Sequence, residues 1–382
     1  MKIVHLLPAL TKGGGERVAV DLANHSAAAG HQVTVIAGFA YDPAVLRDSL
    51  DPAVEVRYVS PERPGRIGLY LAGMRWFRRH RAWLREQDVL HCHLTYGAAM
   101  GAIVWLMRTL GRWPRPVIVE TYHAVGMPIP AASRWLHARL AARRDALALM
   151  ASDDYWRGFV EKHPKLVSAV IPNGVAVPEG EVTAEERLAF RRSAGIPDDA
   201  EHVVGTVGQL RPERRPGLFL PIFADIARSL GPKCHFVLAG EGPELPRLRE
   251  AVEREGLADR IHLPGLVASA RVPAASMDLY LTLNVGAITG IAALEAAFAG
   301  TPVIAVQLIE GRRPEPSDWI WSSSDPAEVA AHAIKLLRSP ERCSELAARQ
   351  QAYVKANHVV AVMGSAYEAL YRRAIERRAA PA

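Results

Sequence analysis

The sequence predicts two doubly wound α/β domains in tandem, each a parallel sheet covered by helices on both faces. Three observations point there. Short apolar runs alternate with helical patterns along most of the chain, as βαβ units require. The rhythm breaks once, in a polar stretch from about Glu179 to Glu201 beside Pro178, Gly180 and Pro197, and then restarts. At 382 residues the chain is long enough for two or three domains, each with its own core.

The first rhythm opens with a strand over Lys2–Pro8, a helix over Glu16–Gly30 carrying Val18, Val20, Leu22 and Ala23, and a strand over His31–Gly38. Further strands are read at Val54–Val59, Asp88–His93, Pro116–Glu120, Ala146–Ala151 and Val167–Pro172. The polar stretch is a linker with a short helix. The second rhythm sets strands at His202–Val207, His235–Gly240, Ile261–Leu263, Leu279–Leu283 and Thr301–Val306. Its helices are Arg215–Leu230, Glu244–Gly256 and Gly290–Ala299. This gives a first domain at 1–178 and a second at 179–361. A terminal helix in 362–382, with Tyr367, Leu370, Tyr371 and Ile375 at helical spacing, packs back on the first. Open α/β sheets bind ligands beyond the carboxyl ends of their strands, so a cleft between the two domains is the expected site.

Composition narrows the function classes. A hydrophobic share of 49% and a charged share of 23% exclude a disordered chain, a collagen-like repeat and a small disulfide scaffold. Three cysteines, Cys92, Cys234 and Cys343, form no framework or CxxC pair, which favours a reducing, cytoplasmic compartment. No run of 18 apolar residues exists, and MKIVHLLPAL reads as a buried strand rather than a signal peptide. Residues 1–178 hold 22 Lys and Arg against 14 Asp and Glu, whereas 179–382 hold 24 against 26. The basic half therefore faces something negative, either a phosphorylated substrate or an anionic membrane. No RNA-binding signature, zinc finger or basic tail supports a nucleic acid.

The motifs sit where strands end. Lys12-Gly13-Gly14-Gly15-Glu16-Arg17 joins the first strand to the first helix, so backbone can approach a ligand and the helix start can face an anion. It is neither GxGxxG nor a Walker loop. In Asp88-Val89-Leu90-His91-Cys92-His93 the two histidines share one face of a strand. A two-histidine metal site is conceivable, but no third ligand lies nearby and HExxH is absent, so cleft histidines are the favoured reading. Glu120-Thr121-Tyr122-His123 runs out of a strand and places a histidine for a substrate hydrogen bond; a bland loop histidine is the alternative. In the second domain, glycine groups at Gly205–Arg214, Gly240-Glu241-Gly242-Pro243 and Leu263-Pro264-Gly265 follow strands. Glu295, within Gly290–Val303, is a charge in an otherwise apolar helical run; a ribose diol would supply its partner, and a glutamate on the solvated edge of the helix is the alternative.

Taken together these motifs resemble the GT-B retaining glycosyltransferases of family four, over nearly the whole chain. The resemblance rests on Gly13, Gly14 and Glu16, on DVLHCH, on Thr121–His123, on Ile171-Pro172-Asn173-Gly174-Val175, on the Gly208–Arg214 segment, on Gly240–Pro243 and on Leu294–Val303. It implies two Rossmann-like domains and transfer of a hexose from a UDP- or GDP-linked sugar to a hydroxyl of an envelope glycan or glycolipid. It implies His123, Arg214 and Glu295 as catalytic residues: His123 on the donor sugar, Arg214 on the diphosphate in place of the family's lysine, Glu295 on the ribose. Gly14, Gly15, Gly208, Gln209, Gly240, Thr289 and Gly290 would line the donor, with the base held by backbone from Leu263 to Leu266. Such enzymes need neither cofactor nor metal, in keeping with the absence of Asp-x-Asp. The leaving phosphate itself helps to deprotonate the acceptor in a front-face reaction.

Two positions depart from that pattern. Ala287 stands where the first glutamate of Glu-x7-Glu belongs, and Gln209 replaces an arginine. Gln307–Pro316 lacks the usual glycine pair. A nucleotide-sugar-binding homologue without catalysis is the alternative these changes suggest, and an epimerase is a more distant one. Finally, Arg75–Arg85 reads as one helix with Trp76, Phe77, His80, Trp83 and Leu84 as a core stripe. Its Arg75, Arg78, Arg79 and Arg81 are either simply solvated or attached to the inner-membrane surface, and the two readings are compatible.

Overall fold

The computed structural model describes residues 1–11, 13–40, 46–123, 130–151, 154–178, 180–267, 269–284, 289–308 and 319–380. The chain forms two compact units, Met1–Ala176 with Val360–Ala382, and Val177–Val359.

The first unit runs β1 (Lys2–Leu7), α1 (Gly14–Ala28), β2 (Gln32–Phe39), β3 (Glu55–Ser60), α2 (Arg66–Arg79), α3 (Arg81–Arg85), β4 (Val89–His93), α4 (Leu94–Leu110), β5 (Val117–Tyr122), α5 (Ala131–Ala141), β6 (Ala146–Leu149), α6 (Asp154–Glu161) and β7 (Val167–Val170). Its sheet has the order β3-β2-β1-β4-β5-β6-β7 and every ladder is parallel. The order reverses between β1 and β4, which makes the ends of those strands the topological switch point. Val4, Leu6, Leu90, Cys92 and Ile118 face a core with Phe77 and Met100. Leu7, Val33, Val35 and Ala37 face the opposite way, onto Ala19, Val20 and Ala23 of α1.

The second unit runs α7 (Ala184–Ser193), β8 (His202–Val207), α8 (Phe219–Leu230), β9 (Cys234–Ala239), α9 (Leu245–Arg254), β10 (Ile261–Gly265), α10 (Arg271–Ala275), β11 (Leu279–Asn284), α11 (Ile291–Phe298), β12 (Val303–Gln307), β13 (Ser322–Ser323), α12 (Pro326–Leu337) and α13 (Pro340–Asn357). The sheet order is β10-β9-β8-β11-β12-β13, again parallel, with its switch point between β8 and β11. Thr183 caps α7 through a reciprocal box with Glu186.

The last helix, α14 (Val360–Ala379), lies in the first unit against α1, β5, β6 and β7. Tyr371 bonds His91 at 2.8 Å, Tyr367 bonds Thr121 at 2.8 Å, and the N–H of Val360 donates to the carbonyl of Val175 at 2.9 Å.

Two elements differ from the sequence reading. The Arg75–Arg85 helix breaks at His80, whose backbone N–H still closes α2 onto Trp76 while Arg81 starts a new short helix. Phe77 and Leu84 are buried as the stripe required. The helix expected from Arg215 begins only at Phe219: Arg215 has φ 47°, and two 3-10 turns, Pro212–Arg214 and Pro216–Leu218, precede it. Pro216 disfavours the α-helical region at Arg215 before it, so the helix cannot begin there.

Candidate functional site

Each unit carries a cluster of candidate residues at the carboxyl end of its sheet, at the switch point. In the first unit, Gly13 is the N-cap of α1, and a Cβ there would lie 2.0 Å from Glu16 Oε2. The Glu16 carboxylate thus folds back over the helix start and accepts from Thr11 Oγ1 at 3.0 Å. The anion nearest this helix start is the chain's own, which leaves close backbone approach as the service of the glycines. Gly14 is exposed. Gly15 passes close to the residues after β4 and β5: a Cβ on it would meet Leu94 Cδ2 at 2.7 Å and His123 Cγ at 3.6 Å.

Leu94 is a functional candidate that the sequence did not signal. It starts α4 with φ 59°, a left-handed conformation that costs an ordinary L-residue roughly 1–2 kcal/mol. Nothing in the letters His-Leu-Thr announces that strain, because the conformation is imposed where β4 meets α4.

His123 follows β5 and stands 5.8 Å, ring centre to ring centre, from His93. Its Nε2 is enclosed and has no hydrogen-bond partner among the described residues. Burial lowers its pKa to about 4, so it is neutral at physiological pH and can offer one donor and one acceptor. Beneath it lies a histidine cluster. The register pairs His5 of β1 with His91 of β4, and His93 follows on the same face. His5 Nδ1 and His93 Nε2 are 3.1 Å apart. The sequence reading found no third histidine near His91 and His93; His5 is that residue, hidden by a separation of 86 positions and delivered by strand pairing.

The opposite face of β5 is pinned differently. Arg144 donates to Glu120 at 2.8 Å, both side chains being fully enclosed, and also reaches the carbonyl of Ala98. Arg108 pairs with Asp145, whose carboxylate also accepts from the N–H of Ile118 at 2.7 Å. These pairs fix β5 and the approach to β6, and so the place where His123 emerges.

In the second unit the glycines after β8, β9 and β10 are stitched into one rim. Gly208 N–H donates to Ala239 O at 2.9 Å, Gly240 N–H to Gly265 O at 2.7 Å, and Leu210 N–H to Glu241 O at 2.9 Å. Gly240 has φ 145°, and a Cβ on it would fall 1.8 Å from Gly208 O, so no other residue fits. Gly208 and Gln209 are exposed, and space above Gly208 is open. Leu263 packs partly on the core while Leu266 is 52% exposed. Across the switch point, Thr289 is buried and Gly290 is the N-cap of α11, with open space at its own Cβ position.

Glu295 is half-buried on α11. It lies near enough to Tyr280 to help burial push that phenol up to about 12. Tyr280 itself is held by Val207, accepting from its N–H at 3.0 Å and donating to its carbonyl at 2.9 Å. Arg214 is exposed in the 3-10 turn, and among the described residues it makes no ion pair. The structure therefore places Gly208, Gln209, Gly240, Leu266, Thr289, Gly290 and Glu295 around the carboxyl ends of the second sheet, and His123, Gly14 and Gly15 around those of the first. Ala287 and 309–316 of the Gln307–Pro316 segment lie outside the described residues.

Similarity to known proteins agrees with this architecture. Residues 12–177 match the family described as Glycosyltransferase Family 4, and residues 201–339 match Glycosyl transferases group 1. A D-inositol 3-phosphate glycosyltransferase of Geodermatophilus obscurus is 28% identical over 376 residues, covering 87% of this chain and 80% of that protein. A 2-deoxystreptamine glucosyltransferase of Streptomyces kanamyceticus is 30% identical over 138 residues, 36% of this chain and only 35% of that protein. The structure of Anabaena Alr3699/HepE in complex with UDP and glucose superposes with a TM-score of 0.76 at 17% identity, over 97% of this chain and 98% of that one. The fold is GT-B, and the chain belongs to the group 1, family 4 glycosyltransferases.

Proposed function

We propose that this chain is a retaining glycosyltransferase that moves a hexose from a UDP- or GDP-linked donor to a hydroxyl of an envelope glycan or glycolipid. The observation that carries the reading is the glycine rim of the second unit, with open space over Gly208 and Gly290 and a half-buried carboxylate, Glu295, on the helix that Gly290 caps. Backbone N–H groups at the start of α11 suit phosphate oxygens, and a carboxylate suits a ribose diol. The Anabaena relative of this fold, whose structure holds UDP and glucose, supports the same ligand class.

In the proposed mechanism Arg214 and the α11 N-terminus offset the charge that develops on the leaving diphosphate, and no metal is needed for that step. Neutral His123 hydrogen-bonds the donor sugar through its enclosed Nε2. The bond from the sugar to the phosphate oxygen breaks on the face where the acceptor attacks, and that oxygen takes the acceptor proton. An acceptor at an anionic membrane surface is supported by α2, where Ile67, Leu71 and Met74 are 77%, 40% and 38% exposed beside exposed Arg75, Arg78 and Arg79, with Arg81 following on α3. Among the described residues no helix is long and apolar enough to cross a membrane.

Incubation with UDP- and GDP-hexoses and candidate lipid or glycan acceptors tests the proposal. It requires acceptor-dependent release of nucleoside diphosphate and an unchanged anomeric configuration in the product. Gln209, an exposed neutral side chain where the family places a cation, favours one second reading, a homologue that binds the donor without transferring it. Donor binding with no release against any acceptor would select that reading.

A further inference from the structure

The trio beneath His123 has the makings of a site that the transfer reaction does not use. His5, His91 and His93 are 0% exposed, and one ring nitrogen from each lies within 4.8 Å of the others. Strand pairing produces this: β1 and β4 are adjacent, His5 is in register with His91, and His93 projects from the same face two residues on. We propose that these three imidazoles form a binding site for one divalent transition ion of the zinc class, which cross-links β1 to β4 at the switch point of the first sheet.

Two features carry it. His5 Nδ1 and His93 Nε2, which share a hydrogen bond at 3.1 Å, already stand close to the roughly 3.3 Å that two nitrogens span on one tetrahedral ion bound at about 2.0–2.1 Å, so an ion would replace that shared proton. His91 then needs to move inward from the 4.8 Å envelope by at most about 1.5 Å. His91 also has the supporting contacts of a metal ligand: Tyr371 OH holds its Nδ1 at 2.8 Å while Thr121 Oγ1 holds Nε2 at 2.7 Å. When Nε2 turns to the ion, Thr121 keeps its bond to Tyr367 OH at 2.8 Å, so no hydroxyl is orphaned. A set of three imidazoles without thiolate or carboxylate suits zinc, cobalt, nickel or copper and disfavours magnesium or calcium. Enclosure means that the ion enters as the chain folds and acts structurally.

The test uses the full chain without a histidine tag, produced in zinc- or cobalt-supplemented medium and desalted. Elemental analysis is expected to find about one equivalent of metal per chain. The cobalt form should show the visible absorption of a four-coordinate ion with three imidazole ligands, and chelation should lower the melting temperature. His5→Gln and His93→Gln should each reduce bound metal at least tenfold, while His262→Gln, in the other unit, should leave it unchanged. Less than about a tenth of an equivalent in wild-type protein from both media overturns the proposal, whether or not the variants fold. Full retention of metal by His93→Gln overturns it equally.

Discussion

Glu295 and His123 separate binding from turnover. Glu295→Ala removes the carboxylate offered to the ribose, and a hydrogen bond to a charged group is worth roughly 1.5–3 kcal/mol. The donor Kd, measured by calorimetry, should therefore rise about ten- to hundredfold. His123→Ala should instead lower kcat by at least about tenfold with little change in donor Kd; turnover at the wild-type rate would remove His123 from the mechanism. A structural counterpart is the enclosed pair Arg144–Glu120. Arg144→Met leaves Glu120 buried and uncompensated, at a cost of about 3–5 kcal/mol in denaturant unfolding. Adding Glu120→Leu should recover much of that loss, because the cost lies in the orphaned charge rather than in the absence of the pair.

Among the elements, the rim of the second sheet is the most tightly specified. Gly240→Ala drives a methyl into the carbonyl of Gly208 and demands a φ of 145° from a residue that resists it. A loss of about 2–4 kcal/mol and of nucleotide binding is expected, read from melting curves with and without UDP. On the edge of that sheet, His235 Nδ1 and His262 Nε2 lie 3.1 Å apart, and burial lowers His262 from 6.5 to about 4. The folded state thus binds fewer protons than the unfolded state between those values. The contribution is whole above pH 6.5 and is lost as pH falls from 6.5 towards about 4. His262→Gln should flatten the pH dependence of the melting temperature across that window; a parallel, merely displaced profile would contradict the assignment.

For the molecule as a whole, the sheets were legible because a parallel strand buried on both faces leaves a plain apolar run, as in Ala146–Leu149 or Val303–Val306. The glycine clusters were legible for a similar reason, since a close backbone approach admits little else. What stayed hidden depends on how the folded chain brings residues together. His5 joins His91 by strand pairing. Leu94 takes its left-handed turn between two elements. The fold-back of Glu16 over Gly13 depends on side-chain geometry that no spacing encodes. The account as a whole turns on whether the second unit binds a nucleotide through Glu295. The most direct measurement is the thermal shift of wild-type and Glu295→Ala protein with UDP, GDP, ADP, CDP and their hexose conjugates, without added metal. A ligand at 100 times its Kd stabilises the folded state by about 2.7 kcal/mol, a shift of several degrees. The account predicts such a shift for UDP or GDP and their sugars in the wild type, and its collapse in the variant. No shift with any nucleotide, or an equal shift in both proteins, would contradict it.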